Sequence, residues 1–256
     1  MVLVIYIFPL FWLGINTLKT NLQIFDPVPK LIFQPTLRNY KIVLSTDIFG
    51  RSFRLSVLLT LCSTFVTLLL GTMAGYVFSR YRMKLKNDLM FFILLTRMIP
   101  PIVALVPIYI LYLNIGFQDT FFGLMLIYTN FNLALSVWMM KGFIDNIPYT
   151  IEEAAMCDGY TRFHVVLKVI IPLATPGLVA TAVFCSIFIW NEFLFAVVLS
   201  RTKIITVPVK VYSLSFVASG IISTINLLFV LPVIVFTYVV RKQLLHGVTF
   251  GIIRGK

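Results

Sequence analysis

The chain has 256 residues, of which 60% are hydrophobic and 12% charged, and its mean hydropathy is +0.99. Soluble domains carry about 25% charged residues, so an ordinary water-soluble fold is excluded. The formal net charge of +12 comes from 21 Lys and Arg against 9 Asp and Glu; these cations fall between apolar runs with no basic face interleaved with stacking aromatics, so no nucleic acid partner is expected.

Continuously apolar stretches lie at about residues 2–18, 55–78, 89–113, 121–140, 169–199 and 223–240. Each is long enough to span, a helical crossing needing roughly 20 residues. The runs are unbroken instead of alternating with period two, which favours helices over a barrel. The predicted fold is an all-α membrane protein with six transmembrane helices in a single domain, residues 1–256, surrounded by membrane lipid. An even number of crossings puts both termini on one side. The basic residues divide almost evenly between the two sides. The cluster Arg80, Arg82, Lys84 and Lys86 and the basic tail favour the inside for both ends, N-in and C-in.

The first run lacks the basic start and small-residue cleavage site of a signal peptide and reads as a retained first helix. Helix two carries Thr60, Thr64, Thr67, Gly71 and Gly75 at three- and four-residue spacing, a stripe that lets helices approach closely. Pro100, Pro101 and Pro107 in helix three, and Pro172, Pro176 and Pro232 in helices five and six, remove backbone donors and kink the spans. Helix four carries Tyr128, Asn132 and Ser136 one turn apart. That polar stripe reads either as the lining of a path or as interhelical hydrogen bonding.

Arg97 and Glu192 are the isolated charges within apolar runs. An ion at membrane depth costs several kcal/mol unless it meets a partner, a cavity or the interface, so both are functional candidates, with snorkelling to a boundary as the alternative. Cys62 and Cys185 lie in apolar runs, Cys157 in a polar loop, and there are two histidines; no metal-ligand set and no disulfide framework follow. No cluster of His, Cys or carboxylates stands at acid–base spacing, so no catalytic residue is expected.

The loop between helices four and five, residues 141–168, is the longest polar stretch on the predicted inner side. Thr150 and Glu153 have the spacing of a capping box, Ala154 and Ala155 favour helix, and Gly159 suits a left-handed stop. Phe163, Val166, Leu167 and Ile170 then form an apolar stripe at helical spacing. Two short helices at a membrane surface would dock into another protein's groove, or would lie in the headgroups with Arg162 and Lys168 outward.

Glu153-Ala154-Ala155, Asp158-Gly159 and Val169-Ile170-Ile171-Pro172 resemble the EAA loop of ABC importer membrane subunits. That pattern is EAA, three residues, G, nine residues, I, one residue, L, P; Val169 and Ile171 fill its two aliphatic places. The resemblance runs along nearly the whole chain and is similar to the carbohydrate-import branch, the smaller maltose-type permease. Trp12, Leu18-Lys19, Asn39-Tyr40, Met98-Ile99-Pro100, Lys141-Gly142-Phe143, Ile147-Pro148, Trp190-Asn191-Glu192-Phe193 and Gly247-Val248-Thr249 carry it. Such subunits have a short basic lead before helix one, so the true start is expected upstream.

The resemblance implies a permease subunit of a sugar importer in a bacterial or archaeal cytoplasmic membrane. The chain has no GxxxxGK[ST] loop to cradle phosphates, so ATP and Mg would belong to a partner ATPase dimer, and the chain itself would bind no cofactor. Glu153, Ala154, Ala155, Asp158, Gly159, Phe163 and Pro172 would form the ATPase-coupling loop. A second permease, with a heterodimer expected, and an extracytoplasmic substrate-binding protein would complete the system. Sugars are neutral and polyhydroxylated, so Tyr128, Asn130, Asn132, Trp190, Asn191 and Glu192 are candidates for the substrate path or a gate. Two other classes stay open on the residues alone: an ion- or proton-coupled secondary transporter using Arg97 and Glu192, and a membrane scaffold that transports nothing.

Overall fold

A computed structural model describes residues 2–28, 31–45, 49–200, 202–214 and 219–252, with side chains from residue 5 to residue 238 within those segments. The described residues are helical and contain no strand. In chain order the elements are α1 (Val2–Thr17), α2 (Asn21–Ile24), α3 (Arg38–Ser45), α4 (Gly50–Arg80), α5 (Lys86–Met98), α6 (Pro101–Asn114) and α7 (Phe121–Asp145). There follow α8 (Tyr149–Cys157), α9 (Arg162–Val165), a π-helical turn (Val166–Ile170), α10 (Ile171–Leu173), α11 (Thr175–Trp190), α12 (Leu194–Leu199), α13 (Val207–Leu214) and α14 (Ser219–Ile252).

Burial is inverted relative to a soluble protein. Along α4 the threonines and glycines of the predicted stripe are buried, whereas Leu61 and Phe65 are 62% and 67% exposed. This is the pattern a bilayer demands. Lipid tails solvate leucine as well as another helix does, so helices associate through close backbone contact at small residues. The closest approach is to α7. A Cβ on Gly71 would lie 2.0 Å from Ser136 Oγ, and one on Gly75 would lie 2.9 Å from the Lys141 amide nitrogen. Ser136 is therefore a packing residue opposite a glycine. Helix α11 packs on both members of the α4–α7 pair, α14 packs on α11, and α1 and α3 lie against α14.

Among the described residues three single helices are long and apolar enough to cross a membrane: Gly50–Arg80, Phe121–Asp145 and the Ser219–Tyr238 part of α14. Two bent pairs pass the same test when each is taken together, and α1 is a shorter apolar helix. The bends expected at the prolines are sharp enough to divide two of the predicted runs. Helix three, expected as one run over 89–113, is broken at Ile99 and Pro100, with 91° between α5 and α6. Both residues before a proline are extended, with ψ of 123° and 127°, as a following proline ring requires.

Helix five, expected over 169–199, is in pieces. A 74° bend at Ala174 separates Arg162–Leu173 from α11, and α11 stops at Trp190, before α12. Pro172 has no amide proton, so the ladder ahead of it slips into i→i+5 spacing, with the Ile171 amide bonded to the Val166 carbonyl. Pro176 likewise withholds a donor from the Pro172 carbonyl. By contrast Pro107 and Pro232 stay within their helices.

The polar loop is also more structured than expected. Helix α7 continues to Asp145, leaving Asn146–Pro148 as the link to α8. The predicted capping box does not form, because Pro148 occupies the cap position of α8 without a side-chain bond and places Thr150 inside the helix. Gly71→Leu is expected to force α4 and α7 apart, costing about 1–3 kcal/mol as overpacking does. Gly14→Ala, where an added Cβ meets nothing within 4 Å, is the control, and thermal unfolding in detergent compares the two.

Candidate functional site

The loop end of the bundle carries a short helical hairpin. Helix α8 closes with the Tyr160 amide bonded to the Ala155 carbonyl (3.2 Å) and the Gly159 amide to the Met156 carbonyl (3.1 Å). That is a Schellman stop, and it needs a left-handed residue after the cap. Gly159 supplies it at φ +91°. Thr161 then caps α9, accepting from the His164 amide.

This geometry sorts the predicted loop residues by face. Glu153, Ala154, Asp158, Gly159 and Pro172 are exposed, and Phe163 is 70% exposed. Ala155 turns inward and packs, with Met156, on the cluster of Met140, Ile144, Val165 and Ile170. The outward set forms a rigid projection of one acidic turn, a glycine corner and an aromatic ring.

Sequence reasoning missed Glu152. Its side chain is 2% exposed and paired with the Arg80 guanidinium at the end of α4. The Tyr76 hydroxyl donates to its other oxygen at 3.0 Å, and Arg80 Nη2 donates to the Ile147 carbonyl at 2.8 Å. The available signal was the Glu152-Glu153 pair itself. Adjacent helical residues point about 100° apart, so the two carboxylates cannot share a face.

A second feature is a cavity of about 280 Å³ between the broken helices. Arg97 and Pro101 line it from the α5–α6 break, Tyr128 and Asn132 from α7, Phe188 from α11, and Glu192 from the α11–α12 break. Arg97 Nη1 donates to the Phe131 carbonyl at 3.2 Å, and its guanidinium lies 4.8 Å from the Phe188 ring centre. The Glu192 carboxylate accepts from the Phe195 amide (2.8 Å) and the Ala196 amide (3.2 Å). Those amides are the free donors at the start of α12, so the charge sits where the helix dipole favours it.

Asn132 Nδ2 donates to the Tyr128 carbonyl at 2.9 Å. Asn132 Oδ1 is buried without a hydrogen-bond partner among the described residues, and the buried Tyr128 hydroxyl faces the Glu192 carboxylate. A buried polar atom left unpaired is costly, and Asn132 stands in the wall of a cavity that could offer it a partner.

The remaining path candidates lie elsewhere. Trp190 is buried against α14, stacked on Phe229 at 4.7 Å with Nε1 donating to the Phe229 carbonyl at 3.3 Å. It borders a separate, apolar cavity of about 410 Å³ between α4, α11 and α14. Asn191 is exposed, bonded back to the Ile187 carbonyl, and Asn130 is exposed on α7. The tail, residues 247–256, lies beyond the described side chains, and its last four residues lie outside the described structure.

Residues 67–250 match the family described as the binding-protein-dependent transport system inner membrane component. A probable ABC transporter permease protein, y4oR, of Sinorhizobium fredii is 30% identical over 98% of this chain and 91% of its own. The trehalose transport system permease protein SugB of Mycobacterium tuberculosis is 32% identical over 96% of this chain and 92% of its own. Among solved structures, a chain of a bacterial ABC transporter involved in import of the acidic polysaccharide alginate superposes with a TM-score of 0.78 at 22% identity, covering 93% of this chain and 91% of that one. With its apolar helices, broken spans and outward EAA hairpin, the chain belongs to the family of binding-protein-dependent transport system inner membrane components, the permease subunits of ABC importers.

Proposed function

We propose that this permease forms half of the translocation pathway of a sugar importer in a bacterial or archaeal cytoplasmic membrane. In this reading residues 1–256 are one multi-pass domain of six crossings, N-in and C-in, in which α1, α4, the α5–α6 pair, α7, the pair around α11, and α14 each cross once. The partners are a second permease, an ATPase dimer that uses ATP and Mg, and an extracytoplasmic binding protein. A sugar or oligosaccharide is the substrate, an assignment supported by the trehalose permease among its relatives.

The observation that carries the reading is the outward face of the hairpin. Glu153, Ala154, Asp158, Gly159 and Phe163 stand exposed on a projection whose inner face is fixed to the bundle. A groove on an ATPase would receive that face. Closure of the ATPase dimer would then displace the hairpin as a body, the rigid-body kind of transition that packed helices allow.

The path runs through the cavity walled by Tyr128, Asn132 and Glu192. One wall is the continuous helix α7 and the others belong to the two spans that are broken, so bending at Ile99–Pro100 and at Asn191 would change the cavity's shape while α4 and α7 stay joined. Asn132 offers an unpaired acceptor to hydroxyl groups, and the Tyr128 hydroxyl beside Glu192 stands in the same wall. Asn130 and Asn191 point away from the cavity and suit a contact with the second permease; Trp190 packs the α11–α14 seam. An ion-coupled transporter built on Arg97 and Glu192 has no support from the relatives, and the Glu192 carboxylate is already committed to two backbone amides.

Glu153→Lys and Gly159→Val are each expected to abolish co-purification of the permease with its ATPase. The first reverses a charge on the docking face. The second places a β-branched residue at φ +91°, a left-handed conformation that costs about 1–2 kcal/mol. Full retention of the ATPase by both variants would overturn the docking assignment. Tyr128→Phe should slow transport in proteoliposomes without changing ATPase capture, and transport by this chain alone without ATP would refute the importer reading.

A further inference from the structure

Helix α8 is tethered on both sides by breaks in the backbone: Asn146–Pro148 before it, and Gly159 to Thr161 after it. Such links transmit little force by themselves. Ala155 and Met156 rest on Met140 and Ile144 of α7 by apolar contact; the polar attachment of α8 to a membrane-spanning helix is the group around Glu152, which reaches α4. Tyr76 and Arg80 are one turn apart on α4 and both reach Glu152, one with a hydroxyl and the other with a guanidinium. Arg80 also holds the Ile147 carbonyl, the last turn before α8 begins. The Arg80 and Glu152 side chains are 9% and 2% exposed. At that burial, losing either charge strands the other, so the pair ties α8 to α4 in a fixed relation.

We infer that Tyr76, Arg80 and Glu152 are positioning residues that lock the docking helix to α4, so that a displacement of α8 enters the bundle through α4 as well as through the apolar contact with α7. From α4 the Gly71 and Gly75 crossing passes it to α7, whose Tyr128 and Asn132 wall the cavity. The two adjacent glutamates thus divide the work. Glu153 faces the partner, and Glu152 holds the helix that Glu153 stands on. This inference rests on the docking role of α8 proposed above.

The test uses the whole transporter, with both permeases, the ATPase dimer and the binding protein purified with its endogenous ligand, in nanodiscs. ATPase capture and the fold stimulation of ATP hydrolysis by the binding protein are measured together. Glu152→Gln should keep capture within about twofold, since the outward face is intact, and should reduce stimulation by about tenfold, because a buried ion pair has lost one partner. The swapped pair Arg80→Glu with Glu152→Arg should recover most of that loss, which a general loss of folding would not allow. Should Glu152→Gln fail to accumulate, Tyr76→Phe removes one hydroxyl alone and should cost stimulation about two- to threefold. Wild-type stimulation in Glu152→Gln or Tyr76→Phe with capture intact would overturn the inference. Absence of ATPase capture by the wild-type permease would instead overturn the docking role itself.

Discussion

Within a bilayer no water drives apolar side chains together, and the whole arrangement depends on how α4 and α7 meet without that force. Two glycines on α4 remove the side chains that would hold the axes apart, and Ser136 and Met140 of α7 fill the space. Dispersion contacts at short range replace the hydrophobic effect as the binding force. The large side chains of α4 are thereby released to the lipid face. Everything that follows from the bundle, including the seat of α11 on both helices and the position of the loop hairpin, takes the α4–α7 pair as its frame.

Charge is handled by the same economy of place. A lone carboxylate in an apolar span would be prohibitive, yet Glu192 sits where α11 has ended and α12 has not quite begun, and it satisfies two amides that no carbonyl reaches. Arg97 sits in the last turn of α5, where its charge opposes the negative end of the helix dipole. Both charges are stable because their helices are broken. The breaks also bring them to the wall of one cavity, so the features that make the ions tolerable are those that form the cavity.

Much of this was legible in the sequence, for reasons that differ by element. The spans follow from composition, since apolar runs of that length have few other uses, and the stripe on α4 follows from its spacing. Prolines announced trouble in helices three and five without fixing its size: Pro107 and Pro232 remain in continuous helix, whereas Pro100 and Pro101 in tandem break one. The EAA spacing located the hairpin, and Gly159 took the conformation expected of it. Long-range pairing was the part that could not be read. Arg80 is 72 positions from Glu152 and looked like one more cation at a membrane edge. Trp190 adjoins Glu192 in sequence yet faces another cavity, because α11 ends between them and the chain turns away.

The hairpin also has no freedom in length. Glu152 must meet Arg80, Ala155 must meet the apolar cluster, and Gly159 must follow the cap of α8 directly, all along a helix of nine residues. One residue inserted inside that helix would turn everything after it by about 100°, carrying Glu153 and Asp158 off the outward face while leaving composition nearly unchanged. Substitutions on the exposed side leave that register alone, so the outward face has room to vary by side chain while the spacing from Pro148 to Pro172 stays fixed.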